Sequence, residues 1–267
     1  GTKAAAVVQS GTAAIHLALR ILNIQQDDVV LCQSFTFVGS SNPILYQKAS
    51  PVFIDSEKET WNICPLALEE AILACREKGQ QPKAIIVVHL YGMPAKMPEI
   101  MALSHKYNIP VIEDAAEALG STINGKACGS FGDFGILSFN GNKIITTSGG
   151  GALVSNNDKA VAQARFLATQ AKDNAPHYQH SEMGYNYRMS NISAAIGVGQ
   201  LTVLAERVAA RRANYSFYQT ILGEVKGLHF LPEPIGYFSN RWLSCLLIDP
   251  RLTGGITRED VRLAMEK

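Results

Sequence analysis

An α/β fold built on a mostly parallel sheet is predicted by three features of the sequence. Short β-branched runs recur as far as Ser155, amphipathic segments with helix start signals separate several of them, and the runs are nearly continuous in apolar residues. Strands of that kind are covered by helices on both faces.

The first run, Ala4 to Val8, leads through Gln9-Ser10 into an amphipathic segment from Gly11 to Leu22. The next runs are Asp28 to Cys32 and Pro51 to Ile54, followed by a helix from Cys64 to Glu77 that Pro65 opens, since proline fits the first helical turn. Ala84 to Val88, a helix from Pro98 to Tyr107, and the runs Pro110 to Glu113, Gly135 to Phe139 and Gly151 to Ser155 continue the alternation. From Asn191 one long helical stretch is expected through Ala195, Val198, Leu201, Leu204, Val208 and Tyr215, with Arg207, Arg211 and Arg212 on its wet side. Gly227 to Phe230, the run Trp242 to Ile248 and a helix opened by Thr257 with Glu259 form the start of a second unit that ends incomplete at Lys267.

The 267 residues are 47% hydrophobic and 18% charged, with a formal charge of +1. Such a chain buries a core, and its balanced charge excludes the basic footprint of a nucleic-acid binder or a membrane-surface helix. The five cysteines, Cys32, Cys64, Cys75, Cys128 and Cys245, contain no C-x-x-C pair, so reduced thiols and neither disulfides nor a metal site are expected. No charged-then-apolar leader opens the sequence and no apolar stretch approaches the ~18 residues that span a bilayer, so a cytoplasmic protein is expected.

Lys143 is the most informative residue. It follows an apolar strand in the turn Ser138-Phe139-Asn140-Gly141-Asn142-Lys143, precedes a Ser/Thr/Gly-rich stretch, and comes 29 positions after the strand end Ile112-Glu113-Asp114. A lysine so placed suits a Schiff-base role with pyridoxal phosphate, which needs an acid against its ring nitrogen, donors for its phosphate and an apolar surface for its ring. Asp114, at the C-terminal end of a strand where ligands of open α/β sheets collect, supplies the acid; it could equally cap the following segment. Gly11, Thr12 and Ala13 open a helix and aim backbone N–H groups at an anion, although an ordinary Ser/Thr cap reads the same way. Ser138 offers a hydroxyl to that anion or satisfies a turn. In Ser34-Phe35-Thr36-Phe37, Phe37 is the choice for a ring platform against a core role. His89, and the polar group His177, His180 and Glu182, read as packing and loop residues.

In order, Ser-Gly-Thr-Ala-Ala, Ser-Phe-Thr-Phe, Glu-Asp-Ala-Ala-Glu, Ser-Phe-Asn-Gly-Asn-Lys and Gly-Tyr-Asn-Tyr-Arg-Met resemble the DegT/DnrJ/EryC1/StrS family of pyridoxal phosphate-dependent sugar aminotransferases across nearly the whole chain. The resemblance implies an aspartate-aminotransferase-like large domain (fold type I) over residues 1–200, and over 201–267 a linking helix with the start of a small C-terminal α/β domain, truncated relative to the family, whose members also carry a segment ahead of Ala4. It implies Lys143 as the cofactor-bearing lysine, Asp114 as the ring-nitrogen partner, Thr12, Ala13 and Ser138 as phosphate ligands, and Phe37 as the stacking ring. Glu117 falls where members have Gln or His, beside the cofactor's 3′-oxygen or ring face. Asn186 matches an asparagine that reaches the phosphate from a neighbouring subunit, which implies a homodimer with shared active sites.

Asn140-Gly141-Asn142 before the lysine is similar to the branch acting on UDP-linked 4-keto-6-deoxy sugars of the bacillosamine type. The implied activity is transfer of an amino group, from glutamate, to the C4 ketone of a nucleotide sugar for surface glycans or exopolysaccharide. The family's dehydratase branch has histidine at the lysine position, so Lys143 argues against it. A non-catalytic regulatory or scaffold homologue is the alternative of another class.

Overall fold

In a computed structural model, which describes residues 1–266, the strands and helices alternate along the chain as the apolar pattern predicts. β1 (Ala4–Val8), α1 (Gly11–Ile21), β2 (Val29–Gln33), α2 (Asn42–Tyr46), β3 (Ser50–Ile54), α3 (Pro65–Glu77), β4 (Ala84–Val88), α4 (Met97–Tyr107) and β5 (Val111–Asp114) follow one another. A small hairpin of β6 (Thr122–Ile123) and β7 (Lys126–Ala127) precedes β8 (Phe134–Ser138), β9 (Gly151–Ser155) and α5 (Asp158–Ala168). The remainder comprises α6 (Asn191–Thr202), α7 (Leu204–Leu222), β10 (Leu228–Phe230), β11 (Tyr237–Phe238), β12 (Leu246–Ile248) and α8 (Arg258–Met265).

Seven strands form the central sheet in the order β1-β9-β8-β5-β4-β2-β3. The five from β3 to β8 are parallel, and β9 runs antiparallel between β8 and β1. The ends of β1, β2, β4, β5 and β8 and the start of β9 therefore share one edge, where loops from six strands meet. Gly151 is required there: a Cβ on it would lie 2.5 Å from the Gly11 nitrogen. Two apolar layers sandwich the sheet. One packs α1 and α5 against Val30, Ile86, Ile112 and Leu153, and the other packs α3 and α4 against Leu31, Ile85, Val87 and Val111. Alternate residues of β2, β4 and β5 thus enter opposite layers, as the period of two demands.

The sequence expectation of one helix after Asn191 is corrected. The chain breaks at Val203 into α6 and α7, bent by 63°; the apolar period runs through the break and so conceals it. Trp242 is not in a strand, because β12 begins only at Leu246. Residues 237–242 return to the large layer, β11 pairing with β6. Thr257 caps α8 in a capping box whose acid is Asp260 rather than Glu259. No helix follows Asp114; the chain turns instead.

One buried histidine ties α1 to a distant segment. His16 Nδ1 meets Tyr187 Oη at 3.1 Å, its Nε2 meets Gln47 Nε2 at 2.6 Å, and Tyr46 and Tyr185 pack edge-on to its ring. Burial, reinforced by Arg20, lowers its pKa from 6.5 to about 4. The unfolded chain then takes up the proton first, so this stability is present above about pH 6.5 and is lost as the pH falls toward about 4. Denaturant melts of wild type and His16→Gln across that range are expected to converge as the pH drops; parallel curves would contradict the assignment.

Candidate functional site

The shared sheet edge encloses a cavity of about 330 Å³, within the range of small-molecule sites. Gly11, Thr12, Phe37, Asp114, Glu117, Ser138 and Lys143, seven of the residues singled out from sequence, line it. The sheet explains the convergence: Thr12 follows β1, Phe37 follows β2, Asp114 closes β5, Ser138 closes β8, and the turn 139–150 carries Lys143 back toward β9.

The lysine amine is bounded on two sides. Lys143 Nζ lies 3.3 Å from Glu117 Oε1, with both side chains largely buried, and 4.2 Å from the centroid of the Trp242 ring. Glu117 Oε2 accepts the Tyr91 N–H at 2.7 Å. Burial holds the Glu117 carboxyl above its ordinary pKa; Lys143 and the Tyr91 N–H pull it down, and Asp114 adds to the rise. Asp114 Oδ2 accepts from Ser40 Oγ at 2.6 Å, Ser40 Oγ meets Thr36 Oγ1 at 2.7 Å, and Asp114 Oδ1 accepts the Ala116 N–H at 3.2 Å. The carboxylate keeps acceptor capacity in the cavity it lines.

Its neighbour Glu113, fully buried on the other face of β5, has a different task. It accepts N–H groups from Gly129, Phe131 and Gly132 and the Nε2–H of His89, whose Nδ1 accepts from Ala95 N. Four donors compensate that buried charge and pin the loop before β8.

At the N-terminus of α1, Ser10 Oγ accepts the Ala13 N–H at 3.0 Å. The Ala13 amide is therefore committed to the cap, and Ala13 does not line the cavity; the amides of Gly11 and Thr12 have no acceptor among the described residues. Two free amides, the Thr12 and Ser138 hydroxyls and the positive end of the helix suit a phosphate. Phe37 lines the cavity although 73% exposed, whereas Phe35 turns away to meet Tyr91 edge-on at 5.9 Å. Asn186 is exposed and outside the cavity, bridged to Thr169 beside β1. An amine, a carboxylate, an anion cradle and an aromatic ring around one cavity fit pyridoxal phosphate in number and kind.

Sequence reasoning missed Ser40, Asn240 and Trp242, and set Tyr91, at the end of its strand, aside with His89 as non-catalytic. Asn240, fully buried, donates to the carbonyls of Glu117 (2.8 Å) and Leu119 (3.0 Å) and accepts the Trp242 N–H at 2.9 Å. Its backbone N–H binds Ser121 Oγ, which donates to the carbonyl of Gly92. Trp242 Nε1 donates to the Asn142 carbonyl at 2.8 Å. Only the paired polar-aromatic run Asn240-Arg241-Trp242 hinted at this in the sequence; partners 100 or more residues away leave no periodic signal.

The sequence model of the DegT/DnrJ/EryC1/StrS aminotransferase family matches residues 1–261. EpsN of Bacillus subtilis (strain 168), provisionally named a pyridoxal phosphate-dependent aminotransferase, is 58% identical over 100% of this chain and 68% of its own length. GDP-perosamine synthase of Caulobacter vibrioides is 41% identical over 84% of the chain, which spans 59% of that relative. The crystal structure of a DegT DnrJ EryC1 StrS aminotransferase from Brucella abortus superposes with a TM-score of 0.89 at 29% identity, covering 94% of this chain and 67% of that one.

Asn240→Ala would strand the Glu117 and Leu119 carbonyls and the Trp242 amide. It is expected to lower unfolding free energy by about 2–3 kcal/mol in urea titration, the cost of unmade buried bonds. A loss below about 0.5 kcal/mol would mean that these bonds are replaced by water.

Proposed function

Because the chain belongs to the DegT/DnrJ/EryC1/StrS aminotransferase family, we propose that it moves an amino group, supplied by glutamate, onto the C4 ketone of a nucleotide-linked 4-keto-6-deoxy sugar. Its cofactor is pyridoxal 5′-phosphate. The convergence of Lys143, Asp114 and Glu117 with the open N-terminus of α1 in one cavity carries the reading. The relative that is a GDP-perosamine synthase, together with a UDP-4-amino-4,6-dideoxy-N-acetyl-β-L-altrosamine transaminase of Campylobacter jejuni at 39% identity, supports the sugar class. A role in surface glycan or exopolysaccharide synthesis in the cytoplasm follows from that class.

When bound, the cofactor supplies an electron sink that makes a proton on the adjacent carbon of an attached amine removable. Lys143 would hold the group through Nζ, and the same amine, placed in the cavity, would be the base that moves the proton. Asp114, steadied by Ser40 and the Ala116 amide, would be the acid set against the ring nitrogen. Gly11, Thr12 and Ser138 bind the phosphate, with Ala13 contributing through the cap rather than directly. Phe37 covers the ring face, and Glu117 orients Lys143 from 3.3 Å. Asn186, exposed beside β1, reaches a second copy's phosphate in a homodimer; the exposed apolar residues Ile192, Ile196, Val198 and Leu201 of α6 support such an association.

Lys143→Ala is expected to abolish amination, assayed with glutamate and a panel of UDP-, GDP- and dTDP-linked 4-keto-6-deoxy sugars. A loss of at least ~10³-fold is expected for removal of a covalent catalyst. Near-normal turnover in that variant would overturn the mechanism, and a wild type inactive on every sugar would overturn the substrate class.

A further inference from the structure

Trp242 reaches the lysine amine from a stretch of chain with no regular structure to hold it. Its ring centroid lies 4.2 Å from Lys143 Nζ and its Nε1–H binds the Asn142 carbonyl, yet Ser239 to Trp242 belong to no strand or helix. The hold falls on the residue between Asn240 and Trp242. Arg241 is 7% exposed and has φ 51°, in the left-handed region, where an arginine stays only if its surroundings enforce it.

The enforcement comes from α7 and the segment ahead of β11. Arg241 Nη1 donates to the Leu231 carbonyl at 2.8 Å, its guanidinium lies 3.8 Å from the Tyr215 ring centroid, and its Nε stands 3.7 Å from Glu233 Oε1. Tyr215 Oη donates to the same Leu231 carbonyl at 3.0 Å. Glu233 accepts both arms of Arg212 at 2.5 and 3.2 Å and the Ser239 N–H at 2.7 Å, and Arg212 donates to the Ser239 carbonyl at 2.6 Å. Arg212 and Tyr215 both belong to α7. One helix therefore grips the stretch through a shared carboxylate and a shared carbonyl. Burial lowers the Arg241 pKa from its ordinary value, and an apolar side chain of similar size would pack there without that cost. What the arginine adds is a fixed fork of donors, which sets geometry.

We propose that Arg241 is a positioning residue for the amine chemistry. It anchors Ser239 to Trp242 on α7, and through the indole it keeps Lys143 Nζ covered and the lysine turn in place at Asn142. Its effect on turnover rests on the transaminase reading above; its effect on the amine is a property of the chain alone.

Acylation of the cofactor-free chain with an N-hydroxysuccinimide ester, followed by peptide mass mapping, reads the Lys143 rate against the exposed Lys58 and Lys159. Arg241→Met is expected to raise that relative rate about five-fold or more by local opening, and to lower kcat about ten-fold with little change in KM through misplacement of the amine. Arg241→Lys, which keeps a cation on Tyr215 and a donor for Leu231, is expected to fall between it and wild type. Trp242→Leu raises the rate as well, and Arg241→Met with Trp242→Leu is expected to be no faster than Trp242→Leu alone, because the arginine acts through the indole.

A Lys143 rate in Arg241→Met equal to that of wild type overturns the proposal, as does a double variant in which the two effects multiply. If Arg241→Met does not fold, Arg241→Lys decides: a rate equal to wild type overturns the proposal, and a raised rate that Trp242→Leu masks supports it. The two readings fail separately. Labelling that responds as expected in a chain that aminates no sugar loses the transaminase reading, and amination with labelling indifferent to Arg241 loses the positioning role alone.

Discussion

The Lys143 amine rests between the Glu117 carboxylate at 3.3 Å and the Trp242 ring at 4.2 Å, and the surrounding structure is organised to keep those two groups in place. The turn that carries Lys143 is irregular from Asn140 to Gly150 and has no ladder of its own to fix the side chain. Position comes from elsewhere. Tyr91 N–H holds Glu117 from the loop after β4, and Asn240 holds the Glu117 and Leu119 carbonyls from a segment more than a hundred residues later. Trp242 closes the circuit by binding the carbonyl of Asn142, next to the lysine itself. A carboxylate and an aromatic face bound the amine on two sides, so the site places it by polar contact as well as by shape.

Strand β5 shows how one short run serves both stability and chemistry. Glu113 and Asp114 are adjacent acids on opposite faces. Glu113 is fully buried and spends its oxygens on three loop amides and His89, which fixes the approach to β8 and so the start of the lysine turn. Asp114 opens on the cavity with only Ser40 and the Ala116 amide attached. Removing either acid would disturb the same cavity for different reasons, one by loosening its frame and the other by deleting a carboxylate from its lining.

What was legible in the sequence follows the range of the forces involved. The sheet was readable because β-branched runs and intervening helices are local patterns, and because strand ends gather ligands; Lys143, Asp114, Ser138 and Thr12 meet at one cavity for that reason. Ala13 illustrates the limit: it lies at the N-terminus of α1 but outside the cavity lining, and Ser10 takes its amide, a choice decided by one cap geometry. The bend at Val203 was hidden because apolar spacing continues across it. Asn240 and Trp242 were hidden because their partners lie far away in sequence. Asn186 lies outside the cavity of its own chain, so no reading of a single chain brings it to a cofactor.

Covalent attachment to Lys143 is the claim on which the chemistry rests. Reduction of the purified, pyridoxal phosphate-treated chain with borohydride, followed by peptide mass mapping, reads it directly. A pyridoxyl group fixed on the peptide that contains Lys143, and absent from Lys143→Ala, is the expected result. A cofactor fixed on another lysine, or released unreduced from the wild type, would contradict it.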